Sequence, residues 1–161
     1  MKTHVTNSLE ETESLARLWL ENVSAKYVGI DSALAVTLSG HIGAGKTAFV
    51  KMVAKICGVE ESVTSPTFVI MKIYELKDGA RKNGEASEVP NNWKRLVHID
   101  AYRLEKAEEF EIVGLEQLVA DKNNLIMIEW PENVAQALSG IEPLEKINFT
   151  VVGEKSRSVE F

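Results

Sequence analysis

Residues Gly40-His41-Ile42-Gly43-Ala44-Gly45-Lys46-Thr47 fit the spacing G-x-x-x-x-G-K-[ST]. No other stretch constrains the chain as strongly. In such a loop the glycines let successive backbone N–H groups converge on phosphate oxygens with no Cβ in the way. The following helix adds its own N-terminal N–H groups and dipole. Lys46 would point at the ligand and reach the β- and γ-phosphates, while the Thr47 hydroxyl would bind Mg²⁺. The motif needs a strand before it and a helix after it. Ser32–Leu38 (SALAVTL) reads as a buried strand, and Lys46–Cys57 reads as a helix packing through Phe49, Val50, Val53 and Ile56 and stopped by Gly58. Residues 40–47 are therefore the candidate nucleotide-phosphate loop.

A phosphate loop of this kind requires a carboxylate opposite the metal-binding hydroxyl, at the end of a buried strand. Two acids qualify. Glu129 follows Leu125-Ile126-Met127-Ile128, an uninterrupted apolar run suited to a central parallel strand. Asp100 follows Leu96-Val97-His98-Ile99, which is less uniform. Glu129 is thus the expected metal-side carboxylate, and Asp100 is expected to orient water or a neighbouring ligand. His98 shares a strand face with Asp100, and a structural hydrogen bond is its expected role.

The remaining chain supplies ordinary elements. Asn7 or Ser8 can cap a first helix, with Glu10 and Glu11 in its first turn and Leu15, Leu18, Trp19 and Val23 as its apolar face. Thr67–Leu76 and Arg95–Asp100 read as strands. Residues 105–121 read as helical with a break near Gly114, and Pro131 ends the Leu125–Trp130 strand. Lys146–Val152 and Arg157–Phe161 read as a hairpin around Gly153. The polar stretch 77–94 is an expected exposed loop. With 161 residues and no long linker, residues 1–161 form one expected domain.

Composition narrows the partners. The net charge is −6, and no run of Lys and Arg is present, so stable nucleic-acid binding by this chain alone is not expected. One cysteine, Cys57, excludes an internal disulfide and fits a reducing compartment. No apolar segment follows Met1–His4 and none approaches a membrane span, so a cytoplasmic protein without a signal peptide is expected.

Four blocks then carry a resemblance. They are Leu38–Thr47, Val63-Thr64-Ser65-Pro66-Thr67-Phe68, His98-Ile99-Asp100-Ala101-Tyr102-Arg103-Leu104 and Glu129-Trp130-Pro131-Glu132, with a weaker fifth at Glu108–Leu115. Their combination and order, covering nearly the whole chain, resemble the TsaE (YjeE) family of small ATPases required for threonylcarbamoyladenosine modification of tRNA. The resemblance implies a P-loop α/β fold: a mostly parallel central sheet, additional antiparallel strands, and helices on both faces. It implies ATP/ADP and Mg²⁺ as ligands, slow hydrolysis alone, and TsaD and TsaB as partners, with tRNA held only through that complex. By position, Gly40–Thr47 would cradle the phosphates, Ser65 and Thr67 would form a switch-like loop near the γ-phosphate, and Trp130 would lie beside the nucleotide. Lys46, Asp100 and Glu129 would be catalytic, and Thr47 and Glu129 would hold the metal. The 77–94 loop is longer than the resemblance leads one to expect.

Two other functions fit the same loop. A small-molecule kinase would want lid arginines, and of five arginines only Arg81 and Arg95 lie in or beside the polar loop. A GTPase-like switch lacks an N-K-x-D signature here, and Asp100 is followed by Ala101-Tyr102-Arg103 rather than by D-x-x-G spacing.

Overall fold

The first helix begins where the sequence offers both halves of a capping box. Ser8 Oγ accepts from the Glu11 N–H at 3.2 Å, and the Glu11 carboxylate reaches back to the Asn7 N–H at 2.7 Å. A computed structural model describes residues 1–76, 93–104 and 114–161. Its elements are β1 (Thr3–Thr6), α1 (Leu9–Lys26), β2 (Leu34–Ser39), α2 (Lys46–Ile56), β3 (Met71–Glu75), β4 (Arg95–Asp100), α3 (Leu115–Ala120), β5 (Asn124–Glu129), a 3₁₀ turn (Pro131–Val134), β6 (Leu144–Val151) and β7 (Arg157–Glu160). The predicted 77–94 loop, up to residue 92, and the first part of the predicted 105–121 helix lie outside the described residues.

Among the described residues one seven-stranded sheet runs in the order β1-β7-β6-β2-β5-β4-β3. Its centre, β6-β2-β5-β4, is wholly parallel. The flanking pairs β1–β7, β6–β7 and β3–β4 are antiparallel. This is the expected mixed α/β architecture. Residues of β2 and β5 alternate between two apolar layers because successive strand side chains point to opposite faces. Leu34, Val36, Leu38, Leu125 and Met127 pack with α1 and α2 on one face. Ile126 and Ile128 pack with Leu115 of α3, Val134 and Leu138 on the other. Trp19 of α1 meets Phe49 of α2 edge-on at 5.7 Å, and Phe49 meets Phe149 at 5.6 Å.

Several expectations are corrected. Leu18 lies 42% exposed, and the inner face of α1 is Leu15, Ala16, Trp19, Leu20 and Val23. The Thr67–Leu76 strand starts only at Met71, because Ile70 takes φ 66° and Val69 N–H turns back to the Pro66 carbonyl at 2.8 Å. β1 was not anticipated; four residues on a sheet edge leave almost no periodic signal.

No helix among the described residues is long and apolar enough to cross a membrane. Cys57 is buried, and burial pushes its thiol up to about 12. The reactive thiolate is therefore scarce in the folded chain. Iodoacetamide at pH 8 should modify the unfolded chain readily and the folded chain hardly at all. Equal rates would mean that the α2 end opens freely.

Candidate phosphate-loop site

The parallel strands β2, β4 and β5 end along one edge of the sheet, where open α/β sheets bind ligands. Register places Leu38 opposite Glu129, and Glu129 opposite Asp100. A cavity of about 430 Å³ sits over these ends. Of the residues expected at the site, Ile42, Gly43, Ala44, Gly45, Lys46, Thr47, Ser65, Thr67, Asp100, Glu129 and Trp130 line it. Gly40 and His41 do not. Gly40 is structural: a Cβ there would come within 2.5 Å of the Phe149 carbonyl oxygen, and its φ of 145° disfavours any side chain. Gly45 turns into α2 at φ 105°.

Lys46 lines the cavity and is held back against the loop. It is 4% exposed, and its ammonium donates to the carbonyls of Gly40 at 2.6 Å and His41 at 3.1 Å. The Trp130 ring lies over it, 3.8 Å from Nζ to the ring centre. Burial lowers the Lys46 pKa below the ordinary lysine range, while the carboxylates of Glu129, Glu132 and Asp100 work the other way. The outer side of the loop is held by Arg157, which donates from Nε to the Gly43 carbonyl at 3.1 Å and from its Nη1 to the carbonyls of Gly153, Glu154 and Ser156.

The two acids have different partners. The Thr47 hydroxyl lies 2.8 and 3.0 Å from the two carboxylate oxygens of Glu129 and donates to that group. Asp100 touches the Ser65–Thr67 loop instead. Its Oδ2 accepts from Ser65 Oγ at 3.0 Å and from Thr67 Oγ1, and its Oδ1 accepts from the Tyr102 N–H at 3.0 Å. The Ser65 and Thr67 hydroxyl oxygens also lie 2.6 Å apart, so their two hydrogens are shared among three close oxygen pairs. His98, fully buried, bonds through Nε2 to Glu129 at 2.9 Å. It shares Asp100's strand face, yet its partner is the other acid.

Among the described residues two non-glycines take a positive φ: Trp130, which lines the cavity, at 61°, and Ile70, which lies beside Asp100's strand, at 66°. Each conformation costs about 1–3 kcal/mol and persists only where surroundings fix it. Trp130 is fixed by Lys46 on one side and by Tyr102, whose ring centre lies 5.0 Å away. Ile70 is fixed through its carbonyl, which accepts from the Asp100 N–H at 2.9 Å. Sequence reading gave Tyr102, Ala48 and Arg157 no role. Tyr102 and Ala48 line the cavity, and Arg157 ties the loop from 114 residues away. The guanidinium of Arg103 lies 4.3 Å from the ring centre of Phe68.

Oxygen donors from Thr47 and Glu129 suit a hard divalent cation such as Mg²⁺, which takes one or two carboxylates and leaves its other positions to water and phosphate. One lysine against two carboxylates leaves the cavity lining net negative, which also favours a cation.

A strand, a glycine loop and a helix at the carboxyl edge of a parallel sheet, with a carboxylate against the helix's second residue, define a P-loop α/β protein. Residues 6–159 match the family model described as "Threonylcarbamoyl adenosine biosynthesis protein TsaE". A Rickettsia typhi protein named tRNA threonylcarbamoyladenosine biosynthesis protein TsaE is 31% identical over 155 residues, spanning 96% of this chain and 90% of its own. A protein of the same name from Borreliella burgdorferi is 35% identical over 116 residues, 72% of each chain. The chain belongs to the TsaE family. In fold it is similar to the crystal structure of Bacillus subtilus YdiB, with a TM-score of 0.60, 23% identity, and coverage of 98% of this chain and 82% of that one. The kinase alternative gains no support from these relatives.

Proposed function

We propose that this protein binds and hydrolyses ATP·Mg²⁺ and that hydrolysis serves the threonylcarbamoyladenosine modification of tRNA. The observation that carries the reading is the meeting of Thr47, in the first turn after the loop, with Glu129 at the end of a central strand. That pair, beside Lys46, is what a P-loop site needs on its metal side.

The loop N–H groups and Lys46 bind the phosphates and stabilise the charge that develops during transfer, the main contribution such sites make. To do so Lys46 moves its ammonium from the Gly40 and His41 carbonyls toward phosphate oxygens, and its contact with Trp130 changes with it. Thr47 and Glu129 would hold Mg²⁺, which would supply positive charge against the phosphates during transfer. Asp100, Ser65 and Thr67 orient the attacking water on the γ-phosphate side. A second cavity of about 470 Å³, bordered by Asn7, Ser8, Thr12 and Lys155 and sharing Gly43–Gly45 and Ala48 with the first, would receive the nucleoside.

The partners in this reading are TsaD and TsaB in the cytoplasm, with tRNA held by their complex, since this chain carries a net charge of −6. Loss of the γ-phosphate would release the Ser65–Thr67 loop and shift Phe68 and Val69, which stand 83% and 59% exposed beside it. Slow hydrolysis alone and faster hydrolysis with TsaD, TsaB and tRNA are expected, and Thr67→Ala should blunt that acceleration more than it weakens ATP binding. The check is the phosphate-release rate with and without the complex. An unchanged rate, together with rapid phosphoryl transfer to a small metabolite, would replace this reading with a kinase.

A further inference from the structure

His98 is fully buried on β4 and is not among the residues that line the cavity. Its Nε2 lies 2.9 Å from Glu129 Oε1. Its Nδ1 is buried and has no hydrogen-bond partner among the described residues. An apolar residue would fill the same volume without leaving a ring nitrogen unsatisfied, and an unpaired buried polar atom costs about 1–3 kcal/mol. The imidazole's justification therefore lies in the single bond it makes. A carboxylate only accepts, so Nε2 carries the hydrogen and donates.

We infer that His98 is a positioning residue: its Nε2–H fixes the rotamer of the Glu129 carboxylate, so that Glu129 is already aimed when the cation arrives. This rests on the reading of Thr47 and Glu129 as the Mg²⁺ side of the site. Thr47 alone does not fix that carboxylate, because its hydroxyl lies nearly equidistant from both oxygens and has one hydrogen to give. His98 touches one oxygen only and sits on a neighbouring parallel strand, where Asp100 and Glu129 stand in register. Partners behind a metal ligand commonly set metal affinity by about 10–100-fold through such orientation.

The test compares two replacements of similar volume. His98→Gln keeps an N–H donor at a reach close to that of Nε2, and His98→Met removes it. The readout is binding of a fluorescent ATP analogue as Mg²⁺ is titrated, with thermal melts confirming that each chain is folded. His98→Met should raise the Mg²⁺ midpoint about tenfold or more while leaving Mg²⁺-free analogue binding unchanged, and His98→Gln should recover most of that loss. A wild-type midpoint in folded His98→Met, or a His98→Gln midpoint as high as that of His98→Met, would overturn the inference. If His98→Met does not fold, His98→Gln and His98→Asn decide: Asn places its donor near Nδ1 and should show the raised midpoint, and equal midpoints in the two count against the proposal. If the wild-type chain shows no Mg²⁺-dependent analogue binding, the ATP·Mg²⁺ reading itself fails, an outcome separate from the failure of His98.

Discussion

Alanine in place of Lys46 is expected to reduce ATP hydrolysis by at least about 10²–10³-fold, the cost of losing one preorganised donor to developing charge. Lysine brings a full charge to that position, so the effect should lie at or beyond the upper end. Phosphate affinity should fall as well, most for ATP and least for AMP, because in the proposed site the ammonium would serve the β- and γ-phosphates. The fold should survive. Lys46 contributes two hydrogen bonds to loop carbonyls, each worth about 1 kcal/mol net, and those carbonyls can turn to water once the ammonium is gone. Trp130 gives an independent readout. Its ring sits 3.8 Å from the Lys46 ammonium, so its emission should change when Lys46 is removed and should respond to ATP in the wild-type chain. A folded Lys46→Ala variant with wild-type turnover would remove the phosphate role from this loop.

Much of the frame around that loop could be read from residues alone, and the reasons are local. The run Leu125–Ile128 is apolar at every position, as suits a strand covered on both faces, and β5 is that strand. The C-terminal hairpin showed itself through Gly153 and the alternation on either side, and β6 and β7 pair there. What stayed hidden depends on distant partners or on broken local preference. A residue before proline favours extended backbone, so nothing in Trp130-Pro131 announces φ 61° at Trp130. The β-branched run before Met71 reads as strand, yet Ile70 turns the chain because Asp100 holds its carbonyl. Periodicity put Leu18 on the inner face of α1, yet it is Leu20, two positions on and far round the helix, that is buried. Arg157 reaches Gly43 from the far end of the chain, and no spacing rule links them. The division between the two acids is legible only in part: strand composition separates Glu129 from Asp100, but the Ser65 and Thr67 hydroxyls on Asp100 come from a loop whose path required the fold.

That division sets the second large effect. Glu129→Gln preserves side-chain length, removes one negative charge beside Thr47, and replaces one acceptor oxygen by an NH₂ that cannot accept from Thr47 or His98. The Mg²⁺ midpoint for nucleotide binding should rise by at least the roughly 10–100-fold typical of losing an outer partner of a metal ligand, since in the proposed site the ligand itself would be lost. Hydrolysis at fixed Mg²⁺ should fall by about 10²-fold or more, and excess Mg²⁺ should restore part of it. Binding of the nucleotide without Mg²⁺ should hold or improve, because a carboxylate facing the phosphates has gone. Asp100→Asn should behave differently. It leaves the Thr47–Glu129 pair intact and loosens the acceptor shared by Ser65 and Thr67. Turnover should drop with little change in the Mg²⁺ midpoint, and excess Mg²⁺ should not rescue it. The two variants are therefore separated by metal rescue rather than by rate. A midpoint raised in Asp100→Asn and unchanged in Glu129→Gln would exchange the roles of the two acids, with the cation then held against the Ser65–Thr67 loop instead of against Thr47.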